Sequence, residues 1–263
     1  MTEVAAPPAT VEGVGTPPIV FLHAFPLDGR MWAPQVDALS GHYQVVVPDL
    51  RGFGAAKEQV VEVAEMDLLA DDLARLLDEH GLDQVVLCGL SLGGYVSFAF
   101  ARRHPSRLRG LVLASTKATA DDEAAAAARL EMAERVVAEG VGFLPEVMLP
   151  RLLGSTSRRD RPDLVERVTK LLGDQDPAAV AAAQRGMARR PDVTEELAAV
   201  TVPALVLSGT EDEQFGPEVG RGLAAALPNA KFVLFEKAGH LLNLEQPDQV
   251  NEVLLDFVAP LWI

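Results

Sequence analysis

Val85-Val86-Leu87-Cys88-Gly89-Leu90-Ser91-Leu92-Gly93-Gly94 is the stretch on which the fold turns. Its first four residues are apolar and two are β-branched, which suits a strand buried on both faces. The run leads into a serine flanked by glycines, and a helical pattern over residues 95–103 follows. A Gly-x-Ser-x-Gly pentapeptide is a weak signal by itself, because both residue types are common. Placed between a strand and a helix, it sets a hydroxyl at the tip of a tight turn whose small neighbours let the turn close. The bland alternative is an ordinary glycine-rich strand–helix connection.

Outward from this turn, residues 19–22, 44–47, 111–114, 204–207 and 231–235 form further short apolar runs. Residues 65–80 place Leu69, Leu73, Leu76 and Leu77 on one helical face, and residues 246–257 also read as a helix. Strand–helix alternation of this kind predicts an α/β fold with a doubly wound, mostly parallel sheet. Residues 119–200 break the rhythm. They hold only helical, Ala-rich patterns interrupted by Pro145, Pro150, Pro162, Pro177 and Pro191. The expected organisation is a core of residues 17–118 and 201–263, with a helical cap of residues 119–200 inserted in it. Residues 1–16, rich in Pro, Ala and Thr, read as a flexible tail or at most a short edge hairpin.

Composition narrows the function classes. The 263 residues include 38 acidic and 23 Lys or Arg side chains, a formal charge of −15. That balance disfavours a nucleic-acid partner, which needs clustered cations, and equally an anionic membrane surface. Cys88 is the single cysteine, so neither a disulfide framework nor a Cys-based metal site is expected. The chain has no basic, apolar leader and no apolar run of about 18 residues, so a cytoplasmic protein is expected.

A serine hydroxyl becomes a nucleophile when a base takes its proton and a third group holds that base. Of the five histidines, His240 in Lys237-Ala238-Gly239-His240 follows the last strand and is the candidate base. His23, at the end of the first clear apolar run, is its rival, whereas His42, His80 and His104 are expected to face solvent. The orienting acid should follow residues 204–207, where Gly209-Thr210-Glu211-Asp212-Glu213 offers three carboxylates. Asp212 is the choice, with Glu211 and Glu213 as solvated neighbours. Ser115-Thr116-Lys117 carries no carboxylate before Asp121. Two backbone N–H groups should face the developing oxyanion, those of Leu92 and Phe25, because Pro26 has none to give. Phe143, Leu144 and Met148 are the candidate pocket residues from the insertion, where Met132, Leu149 and Met187 also supply apolar surface.

These segments, with Pro48-Asp49-Leu50-Arg51-Gly52-Phe53-Gly54 and Asn243-Leu244-Glu245-Gln246-Pro247, make the chain resemble the α/β-hydrolase superfamily from about residue 17 onward. Within it, the chain is similar to the group of 3-oxoadipate enol-lactonases, cofactor-free haloperoxidase-type esterases and C–C bond hydrolases. Ala24 stands where that group usually has glycine, and the region before Pro17 is short. The resemblance implies a cofactor-free serine hydrolase that cleaves a small carboxylic ester or lactone through an acyl-enzyme at Ser91. C–C cleavage or perhydrolysis by the same three residues is the alternative, and a ligand-binding receptor with residual hydrolysis is another. A serine at the turn excludes the versions that use a carboxylate nucleophile. The pocket is expected to be largely apolar and to favour uncharged acyl groups. An enol-lactonase would instead hold a carboxylate with a lid cation, for which Arg129, Arg151 and Arg185 are candidates.

Overall fold

In the computed structural model, which describes residues 5–261, the chain enters the sheet with β1 (Ala9–Glu12). The flexible tail expected for residues 1–16 is therefore corrected from Pro8 onward, and residues 1–4 lie outside the described residues. Asp49 N–H donates to Pro8 O at 3.0 Å and Gln44 N–H to Gly15 O at 2.8 Å, so the segment is stitched along its length. An edge strand buries one face only, and alternating Ala-Thr-Val-Glu is too short and too polar to announce itself.

The continuous apolar runs become β2 (Ile19–Leu22), β3 (Val45–Pro48), β4 (Val85–Leu90), β5 (Leu108–Ala114), β6 (Ala204–Gly209) and β7 (Ala230–Phe235). The sheet order is β1-β3-β2-β4-β5-β6-β7, with β1 antiparallel to β3 and every other pairing parallel. Residues of β2, β4 and β6 are buried throughout, because helices cover both faces. These are α1 (Ala33–Leu39), α2 (Met66–Glu79) and α3 (Leu92–Arg103) before β5. Leu69, Leu73, Leu76 and Leu77 lie on the buried face of α2, as their spacing requires, and α2 packs against α3.

Between β5 and β6 lie five α-helices, a 3-10 turn (Thr194–Ala199) and no strand among the described residues: α4 (Glu123–Glu139), α5 (Leu144–Leu152), α6 (Ser155–Asp160), α7 (Pro162–Gly173) and α8 (Pro177–Ala188). Three of the prolines that punctuate this stretch start helices: Pro145, Pro162 and Pro177 occupy first-turn positions, where a missing N–H costs nothing, whereas Pro150 lies inside α5. Past β6 come α9 (Pro217–Ala226), then, beyond β7, α10 (Leu242–Glu245) and α11 (Pro247–Val258). No helix among the described residues is long and apolar enough to cross a membrane.

Candidate active site

Parallel strands aim their carboxyl ends in one direction, and ligands of such sheets bind beyond that edge. Ser91 follows β4 there, Asp212 follows β6 and His240 follows β7. The turn at Ser91 is strained, with φ 56° and ψ −109°. Its flanking residues can only be glycine. A Cβ on Gly89 would lie 2.2 Å from Gly93 O, and one on Gly93 would lie 2.3 Å from Leu22 O. That second contact sets the start of α3 against the end of β2, so the N-terminus of α3 and the loop after β2 share one corner. Thr116 Oγ1 donates to Ser91 O at 3.0 Å and braces the turn from the β5 side. A threonine in that loop carries no sequence signal for this role, because its partner is a backbone carbonyl.

Asp212 and His240 are both buried, and Asp212 Oδ2 lies 2.9 Å from His240 Nδ1. The other oxygen, Oδ1, accepts from Gln214 N–H at 2.9 Å and Phe215 N–H at 3.1 Å. Burial opposes ionisation of Asp212, but the charge and hydrogen bond of His240 and the two backbone donors outweigh it and hold the carboxyl below its ordinary value. A carboxylate that can only accept fixes Nδ1 as the protonated nitrogen and leaves Nε2 as the basic one. Glu213, on the exposed surface, pairs with Arg158 at 3.3 Å. Glu211 is no solvated neighbour. Its carboxylate accepts from Thr156 N–H at 2.7 Å and from the hydroxyls of Ser155 and Thr156, tying the acid turn to the start of α6.

His23, the rival base, is fully buried, and its Nε2 accepts the Leu50 N–H at 2.9 Å. An N–H can only donate, so that nitrogen is neutral and occupied. Burial lowers the His23 pKa, with Asp49, Ala24 and Asp28 acting in the opposite direction. His23 is thus a bracket that holds the loop after β2 to the loop after β3. Asp49 completes the bracket by accepting Gly29 N–H and Ala55 N–H, each at 2.7 Å. In this loop Ala24 N–H is engaged by Met31 Sδ at 3.2 Å, and Phe25 is the next residue with a donor to offer. His42 and His80 are exposed as expected. His104 is instead half-buried, with Nε2 2.9 Å from Asp71.

An open cavity of about 620 Å³ lies above this edge. Phe25, Met132, Val147 and Met148 give it an apolar side, and Arg129, Arg151, Gln184 and Gln214 give it a polar one. Of the three predicted pocket residues, only Met148 lines it. Leu144, one turn earlier on α5, is fully buried in the packing of the helices, and Phe143 lies under the Arg135 guanidinium at 3.7 Å. Ala125 and Ala128 add to the apolar side, so the cavity is mixed, with apolar side chains in the majority and two arginines among them. Arg129 and Arg151 are in the wall, whereas Arg185 pairs with Glu134 at 2.9 Å on the surface.

Residues 17–247 match the family model described as the alpha/beta hydrolase fold. The chain belongs to that family. Its relatives include 3-oxoadipate enol-lactonase 1 of Acinetobacter baylyi, 29% identical over 242 residues that cover 92% of this chain and 88% of that protein. They also include a 2-hydroxy-6-oxononadienedioate/2-hydroxy-6-oxononatrienedioate hydrolase of Paraburkholderia phymatum, 28% identical over 255 residues, 94% of this chain and 88% of the relative. Among solved structures, a malate-bound thermophilic esterase from Thermogutta terrifontis superposes with a TM-score of 0.94 at 42% identity, covering 97% of this chain and 94% of that one. This α/β hydrolase is thus a hydrolase of small molecules.

Proposed function

We propose that this α/β hydrolase cleaves a carboxylic ester or lactone through an acyl-enzyme at Ser91. The reading rests on the buried Asp212–His240 bond at the sheet edge where Ser91 occupies its strained turn. His240 Nε2 takes the Ser91 proton as Oγ attacks the substrate carbonyl. The oxyanion is met by Leu92 N–H, at the positive end of α3, and by Phe25 N–H. Collapse expels the alkoxide, which takes the proton from His240. A water, activated by the same histidine, then releases the acid and restores Ser91. Residues 119–200 act as the cap over this chemistry. Ester cleavage is preferred to C–C cleavage because the 42%-identical solved relative is named an esterase. The two arginines and two glutamines of the wall favour a substrate bearing a carboxylate, in keeping with the malate named in that same structure.

A fluorophosphonate probe followed by peptide mass spectrometry should place one adduct on Ser91. Labelling elsewhere, or none on folded protein, sinks the reading.

A further inference from the structure

His240 sits on a loop, and a loop needs something to hold it. The hydrogen bonds that do so come from an unexpected direction. Glu245, at the end of α10, is a carboxylate with only 7% of its surface exposed. Its Oε1 accepts the Gly239 N–H at 2.9 Å, and its Oε2 accepts the Gly154 N–H, also at 2.9 Å. Gly239 precedes His240, and Gly154 precedes α6 in the helical insertion. On the far side of the histidine, Leu241 N–H donates to Leu152 O at 3.0 Å. The residues before and after His240 are therefore each tied to residues 152–154. The two backbones touch so closely that a Cβ on Gly239 would lie 2.2 Å from Gly154 N.

We propose that Glu245 is a positioning residue for His240, its carboxylate locking the histidine's loop to the helical insertion so that the base is aligned only while the insertion is seated. The proposal rests on the reading of His240 as the base. A carboxylate is the side chain this position needs, because two N–H groups approach it from two segments and each requires an acceptor. Glutamine keeps the size but turns an NH₂ toward one of those donors. The cavity wall that touches substrate is left intact, so binding and chemistry separate. A base displaced by a fraction of an ångström loses rate without losing affinity for the substrate.

The test measures kcat and KM for p-nitrophenyl acetate, normalised to active sites titrated with a fluorophosphonate, in wild type and Glu245→Gln. Phosphonylation of Ser91 itself needs the base, so its rate is a second readout. Glu245→Gln is expected to lower kcat per titrated site and the phosphonylation rate together, by about tenfold to a hundredfold, with KM within about threefold. The final labelling extent stays at one per chain. Arg158→Gln, which cuts a surface tie between α6 and the acid turn, leaves both rates unchanged. A Glu245→Gln protein that only melts earlier, with kcat per titrated site at the wild-type level, overturns the proposal. If Glu245→Gln does not fold, Glu245→Asp keeps the charge but shortens the side chain, so that it no longer reaches both the Gly154 and Gly239 N–H groups. It should lower kcat per site about two- to tenfold, and an unchanged value overturns the proposal. Failure of wild type to label at Ser91 would instead overturn the hydrolytic reading itself, so the two failures are distinguishable.

Discussion

Ser91 holds a backbone conformation that an L residue rarely adopts, with φ 56° and ψ −109°. Such residues cost on the order of 1–3 kcal/mol and persist where the surroundings over-determine them. Here Gly89, Gly93 and the Thr116 bond to Ser91 O do so. Ser91→Gly and Ser91→Ala should both be inactive, but only the glycine relieves the strain. We expect Ser91→Gly to be the more stable of the pair by about 1 kcal/mol, read as a higher Tm. Equal melting temperatures would mean that the turn stores no strain. At Asp212, replacement by Asn keeps the shape but loses the charge that fixes the His240 tautomer. Turnover should fall by orders of magnitude, on the scale of about 10⁴, with the Tm little changed. Glu213→Gln, which alters only an exposed pair, should keep its activity. Ser91, Asp212 and His240, the residues proposed to react, were legible because each sits just past a strand that its own apolar run announces. Glu245 and His23 were not legible as supports. Their partners are backbone N–H groups of Gly154, Gly239 and Leu50, which carry no side-chain signal. The one available pointer was position: Glu245 lies in Asn243-Leu244-Glu245-Gln246-Pro247, and His23 stands two residues before Phe25 in the loop after β2.

Elements are held to one another by a few buried charges. Arg51 grips Asp72 of α2 with Nε at 2.7 Å and Nη2 at 2.6 Å, fixing the loop after β3. Asp121, in the loop that leaves β5, has a side chain only 2% exposed, surrounded by Lys117, Arg129 of α4 and Arg190 just past α8. Burial opposes its ionisation, but Arg190 and Arg129 outweigh it and hold the carboxyl well below the usual carboxylate range. Asp121→Asn leaves three cations around a neutral amide and should cost about 3 kcal/mol, seen in chemical denaturation. Because the folded-state pKa lies below the unfolded one, the carboxylate's contribution is complete above the unfolded value. It disappears as pH falls through the folded value. The stability gap between wild type and variant should therefore be flat near neutrality and shrink below about pH 4. A gap that widens in acid would contradict the assignment. Six of the seven strands were readable from apolar runs: β2 to β6 because both faces are covered, and β7, the half-buried strand at the other edge, from its own short run. The edge strand β1 was not, because its pairing to β3 is long-range and only alternate side chains are sheltered. Which face of α5 meets the cavity was unreadable for a related reason: Leu144 and Met148 share a stripe, and packing against the other helices decides which end of it is covered.

Across the molecule, the helical insertion is secured on two flanks. On one, Gln175 Nε2 donates to Asp28 at 2.9 Å, Arg30 pairs with Asp174 at 2.9 Å, and Arg167 reaches Arg30 O at 3.1 Å. On the other lie the Glu245 and Glu211 ties and the bond from Gln214 Nε2 to Arg151 O at 3.1 Å. On the proposed function, substrate selection belongs to a cavity wall that is already formed. The formal charge of −15 repels an anion at a distance, but that field is screened within about 8 Å at physiological salt. A guanidinium in direct contact is screened far less. Arg129 is partly committed to Asp121, and Arg151 stands exposed in the wall beside Gln214. A carboxylated lactone should therefore show a higher kcat/KM than a neutral one of equal size, and the preference should survive an increase from about 0.01 to 0.15 M salt. Arg151→Met should cut that preference by about tenfold, the scale of one charge-assisted hydrogen bond, and leave the neutral lactone unaffected. Preference of the wild type for the neutral lactone would restore an apolar pocket as the selecting feature. An Arg151→Met enzyme with the wild-type ratio would move the anion site to Arg129.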